Sequence, residues 1–134
     1  MIDKVHNVKK MQLDQELARK QSLLNTIATY ENEIEAIQIN LAQSGVKMFG
    51  SIADFKVLAI HKNTMKEEQK KLLEKKVIVQ KQVLQVEHAI SILYKEIEQY
   101  KYILDQEKRE KIKKYQKYEE LIASEYVQAK WVSQ

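Results

Sequence analysis

"LAQSGVKMFGSIADF", residues 41–55, holds Gly45 and Gly50, the only two glycines of a 134-residue chain that has no proline. Glycine and proline are the strongest punctuators of local structure. One short stretch therefore carries nearly all the turn chemistry of the chain. Gly45 is placed to close a helix in the left-handed conformation. "SIAD", residues 51–54, has the form of a capping box, in which the Ser51 hydroxyl accepts from the Asp54 amide and the Asp54 carboxylate reaches back. Asp54 also sits at the positive end of the helix dipole. The stretch predicts a helix over 3–43, a turn over 44–51 and a second helix over 52–130. That is an all-α fold: a two-helix antiparallel coiled-coil hairpin, occupying the chain as one domain.

The spacing of apolar residues on either side supports this. In the first helix Leu13, Leu17, Leu24, Ile27, Ile34 and Leu41 step by 4, 7, 3, 7 and 7. They define a heptad seam with Lys20, Glu31 and Gln38 at its polar positions and Tyr30 and Ile37 on its flank. In the second helix Leu58, Met65, Leu72, Val79, Val86, Leu93 and Tyr100 recur every seven residues. The interleaved set is Phe55, Lys62, Gln69, Lys76, Val83, Ile90, Ile97 and Leu104. From Val79 to Leu104 the steps of 4 and 3 are unbroken, a strong coiled-coil signal. Nearer the turn, Lys62 and Lys76 occupy seam positions, where their stems pack while their ammonium groups reach water.

After Leu104 comes "DQEKREK", residues 105–111, without an apolar side chain. The stripe resumes at Ile112, Tyr115, Ile122, Tyr126 and Ala129, one residue out of phase, which marks the end of one packing partnership. With a symmetric turn, residues whose numbers sum to 96–99 face each other, so the second helix overhangs from about residue 98. Six of the seven tyrosines and the only tryptophan lie from Tyr94 onward. A helix with an uncovered apolar stripe lacks the packing that supplies most helical stability. Tyrosine and tryptophan are also enriched at protein interfaces. The overhang is thus expected to bind another protein or to pair with its own copy, through Ile112, Tyr115, Tyr118, Leu121, Ile122, Tyr126 and Trp131. At the tip, Met48 and Phe49 either plug the open end of the coil or offer a docking point.

Charged residues make up 31% of the chain and aromatics 7%, a composition of solvated helices more than of a thick core. The net charge of +4 comes from 23 basic and 19 acidic residues, and the signs are interspersed as on a solvated helix face. "EKREKIKKYQKY", residues 107–118, interleaves lysines with tyrosines, but flanking acids dilute it and no nucleic-acid partner is expected. There is no cysteine, and His6, His61 and His88 are scattered, so no metal site, nucleophile or cofactor loop is expected. These residues predict a non-enzyme with no catalytic residues. "MIDKVHNVKK" contains no secretory signal, and the longest aliphatic run, "VLAI" at 57–60, is far too short to span a membrane. A cytoplasmic location is the expectation.

Two stretches carry a family resemblance. "GSIADFKVLAIHKNTMKEEQKKLLEKK", residues 50–76, and "LYKEIEQYKYILDQEKREK", residues 93–111, resemble the flagellar export protein FliJ family, as does "YENEI" at 30–34. "MIDKVHNVKK" departs from that family's Phe/Arg/Leu-rich start. The resemblance implies a stalk similar to the central stalk of rotary ATPases. Its partners would be an export ATPase hexamer (FliI-like), an export gate protein (FlhA-like) and substrate chaperones. It would serve type III protein export, recruited to the membrane apparatus through those partners only. By this analogy the overhang enters the ATPase ring. The hairpin around Tyr30, Ile34, Phe49, Phe55, Leu58 and Met65 faces the gate or a chaperone. The alternative is a generic coiled-coil tether or homodimeric scaffold.

Overall fold

The computed structural model describes residues 2–44 and 52–132. They form α1 (Ile2–Ser44) and α2 (Ile52–Val132), with no strand among the described residues. The fold is the expected all-α antiparallel coiled-coil hairpin with a C-terminal overhang of α2. The helix ends differ from the sequence expectation by one or two residues, within ordinary fraying. The Gly45 cap, the Ser51 half of the capping box, and Met48 and Phe49 lie outside the described residues. Within the helices, threonines are tolerated because their hydroxyls bond back to the preceding turn: Thr26 to the Ser22 carbonyl at 3.1 Å, Thr29 to Asn25 at 3.0 Å and Thr64 to Ile60 at 2.9 Å.

The chain divides into two compact units, residues 14–91 and residues 1–13 with 92–134. In the first, Glu16, Lys20, Leu23, Ile27, Tyr30, Ile34, Ile37 and Leu41 of α1 are buried or half-buried. The α2 side of that seam is Leu58, Lys62, Met65, Gln69, Leu72, Lys76, Val79, Val83, Val86 and Ile90, as the heptads predict. Phe55 is the exception and stands exposed. The α1 side needs a correction. Position 13, 20, 27, 34, 41 is read correctly, but the other seam position is Glu16, Leu23, Tyr30 and Ile37, one residue earlier than Leu17, Leu24, Glu31 and Gln38. A helix keeps one phase along its length. The earlier phase buries Tyr30 and Ile37, where the later one would bury Glu31 and Gln38, whose polar groups cost free energy out of water.

Two ion pairs fix the register of this unit. Lys20 Nζ lies 3.4 Å from Glu87 Oε1, and Lys76 Nζ lies 3.0 Å from Glu31 Oε1. Residue numbers rise in α1 as they fall in α2, the mark of antiparallel pairing, and both pairs sum to 107. The observed sum exceeds the expected 96–99 by eight to eleven, so the helices are slid by at least a heptad from the expected alignment. A shift of seven residues brings seam onto seam again, so heptad spacing alone cannot distinguish the two. Lys20→Cys with Glu87→Cys is expected to join rapidly through a short thiol cross-linker. Lys20→Cys with Val79→Cys, the pair a sum of 99 would face, is expected not to. No native cysteine competes.

At this register Val86, only 3% exposed and the most covered core residue, lies opposite Lys20. From that position a lysine stem can cover the short valine, and its ammonium group reaches Glu87. Among the described residues, six of the seven buried apolar ones, Val79, Val83, Val86, Ile90, Leu93 and Ile97, belong to α2. Fully burying such a side chain contributes about 1.5–3 kcal/mol, so this unbroken run carries most of the tertiary stability.

The second unit pairs Ile2, His6, Lys9 and Leu13 with Leu93, Ile97, Tyr100 and Leu104. Lys9 Nζ lies 2.6 Å from Glu96 Oε2. That hydrogen bond, with the charge of Glu96 and the neighbouring Tyr100, raises the Lys9 pKa above its usual value against the opposing effect of desolvation. The Lys9 ammonium thus stays charged at neutral pH. Coverage ends at Leu104. The overhang begins at Asp105, where the apolar-free "DQEKREK" begins, rather than at about residue 98.

Candidate functional site

From Asp105 to Val132 every residue of α2 is exposed. At 1.5 Å per residue this is about 40 Å of helix. Nothing in its sequence breaks it: there is no glycine or proline, and lysine, glutamate, glutamine and alanine are good helix formers. One local bond, Gln106 Nε2 to the Tyr102 hydroxyl at 2.8 Å, spans its first turn.

Tyr115, Tyr118, Glu119, Ile122, Ala123 and Tyr126 line one shallow concave strip. They recur at the three- and four-residue spacings that place side chains on one helix face. Ala123 is short, and the larger side chains around it form the walls of the hollow. Ile112 continues the strip one turn earlier. Leu121 and Trp131 do not join it: at about 100° per residue both stand more than about 100° from its centre. The strip itself is lined by four of the seven residues expected in the overhang site, Tyr115, Tyr118, Ile122 and Tyr126, and helical angle sets Ile112 beside them. Glu119 and Ala123 were not singled out from the sequence, although a small residue among aromatics at i±3 and i±4 is the available signal. A second hollow, lined by Glu98, Gln99, Tyr102 and Ile103, lies in the same unit just before the overhang.

Charge is zoned along the overhang. Asp105 and Glu107 lead into Lys108, Arg109, Lys111, Lys113, Lys114 and Lys117, a run whose only acid is Glu110, and Glu119, Glu120 and Glu125 follow before Lys130. The strip begins in the basic zone and ends in the acidic one.

The hairpin residues proposed for a gate or chaperone are placed differently. Ile34 is buried in the seam, and Tyr30, Leu58 and Met65 are half-buried seam residues. Seam packing already occupies these four, so they do not form an open face. Phe55 is exposed near the start of α2, and Phe49 lies outside the described residues.

Among the described residues no group of His, Asp or Glu is arranged to hold a metal ion. No helix among them is long and apolar enough to cross a membrane. Compared with known proteins, the chain matches no family model, no curated protein and no solved structure.

Proposed function

We propose that the chain is a non-enzymatic docking hairpin whose α2 overhang seats on another protein assembly through the Tyr115–Tyr126 strip. The observation that carries this reading is the complete exposure of residues 105–132 on a helix bearing an aromatic stripe. Covering Tyr115, Tyr118, Ile122 and Tyr126 would remove a patch of the size that marks interaction surfaces. Their two-torsion aromatic side chains lose little conformational entropy on being fixed.

In its specific form the reading follows the resemblance to the FliJ family. The assembly is a hexameric type III export ATPase, and the overhang promotes its assembly and activity. The other end of the hairpin meets a gate protein or substrate chaperones. A single helix inside a sixfold ring cannot contact all subunits alike. It therefore favours the subunit states that bind it better and biases assembly or hydrolysis toward them.

Sedimentation velocity of the full chain with the purified export ATPase from the same source, with nucleotide present and hydrolysis read in parallel, tests this. The expected result is a ring-sized species carrying fewer hairpins than ATPase subunits, with raised hydrolysis. Absence of co-sedimentation with unchanged hydrolysis overturns the export reading.

A further inference from the structure

Leu17 and Leu24 are the residues that α1 leaves outside its seam, and each is about two-fifths exposed. Leu17 follows the seam glutamate Glu16 and Leu24 follows the seam leucine Leu23, so both stand on one flank of α1. That flank is the one crossed by the Lys20–Glu87 and Glu31–Lys76 ion pairs. On the same flank α2 carries Leu73, one residue past the seam position Leu72, then Val77 and Leu84 a further turn round. Leu84 is 65% exposed. Val77 and Leu84 stand too far round α2 for α1 to reach. The five residues therefore do not simply widen the seam. They form a second apolar face across both helices, wholly within residues 14–91, on the order of a few hundred Å².

We propose that this face binds a second copy of the chain. The charge layout carries the choice of occupant. The two ion pairs stand eleven residues apart along each helix, and their signs are swapped: lysine on α1 with glutamate on α2 in one, the reverse in the other. A two-fold axis lying in the plane of the face through the midpoint between them, across the helices, lays Lys20 of one copy over Glu31 of the other, and Glu87 over Lys76. A two-fold axis along the helices lays Lys20 over Glu87 and Glu31 over Lys76. Either closed, isologous arrangement sets opposite charges together, with Leu24, Val77 and Leu84 between the two ion pairs and Leu17 and Leu73 just outside them. The four charged side chains keep between 24% and 53% of their surface exposed, so they are accessible to a partner. A patch of this size is the apolar centre of an interface at the small end of the stable range, which gives a reversible dimer. The face is separate from the overhang strip and does not depend on the export reading.

Sedimentation equilibrium of the full chain, from about 1 to about 300 µM, reads this directly, since dimerisation is set by mass action. The wild type is expected to show a reversible monomer–dimer equilibrium. Leu73→Lys with Leu84→Lys should raise the dimer dissociation constant at least about tenfold. Circular dichroism should show these exposed substitutions leaving helicity intact. Ile122→Asp with Tyr126→Asp should leave the dimer unchanged. A wild type that stays monomeric across the range overturns the proposal. So does a dimer that survives the leucine changes and is lost with the overhang changes, because the overhang stripes are then what pair.

Discussion

Replacing Ile122 and Tyr126 together by aspartate is expected to abolish docking of the overhang and to leave the hairpin folded. Both residues line the concave strip and both are exposed, Tyr126 at 69%. Neither packs against α1, so far-UV circular dichroism and the melting temperature should stay near wild type. At an interface the same positions act differently. Central aromatic anchors cost 2 kcal/mol or more when truncated. Aspartates would also place two charges against an apolar socket. A combined loss on the order of 4–5 kcal/mol corresponds to a thousandfold or greater weakening. Co-sedimentation with the ATPase is the measurement. Trp131→Ala, off the strip, is expected to cost less than tenfold. Undiminished binding by the aspartate pair would remove the strip from the interface.

The second large effect lies in the seam. Ile90→Asp is expected to eliminate cooperative thermal unfolding of the hairpin. Ile90 is 8% exposed, and by the register it faces Glu16, a half-buried carboxylate. The substitution forfeits about 1.5–3 kcal/mol of burial. It also places an unpaired charge beside a like charge, which costs several kcal/mol more. Small domains have about 5–15 kcal/mol in all, and a core one side chain thick should lie at the low end. Ile78→Asp, at a residue 57% exposed, is the contrast and should shift the melt little. A cooperative melt within about 5 °C of wild type for Ile90→Asp would show that the seam is not what holds the helices together.

These two effects lie where the sequence was most legible. Val79 to Leu104 names its own seam because every third and fourth residue there is apolar or aromatic, and only one helical phase satisfies that run. In α1 the evidence is divided. Leu17 and Leu24 favour one phase, Tyr30 and Ile37 favour the other, and Leu23 beside Leu24 is neutral. The structure resolves the tie toward Tyr30 and Ile37, which form an apolar group with the buried Ile34. The register was not legible at all from heptads, since coils slip by seven residues without changing which side chains are inside. It is Lys9, Lys20 and Lys76, each meeting a glutamate on the other helix, that distinguish the observed alignment. The overhang strip was legible as exposure because it lies beyond any register α1 could reach. Leu121 and Trp131 were grouped with it by sequence proximity, which ignores helical angle.

The uncovered stretch from Asp105 also bears on how long a chain survives. A helix with no tertiary cover is held only by its own backbone bonds and opens locally at small free-energy cost. Lys108, Arg109, Lys111, Lys113, Lys114 and Lys117 offer a cluster of cleavage sites to any protease that cuts after basic residues, in the part of the chain that opens most readily. The paired residues ahead of Leu104 present the same chemistry behind a closed seam. A partner that covered the overhang would close these sites, so covered chains would outlast bare ones, and turnover would then match the number of hairpins to the number of places that can hold them.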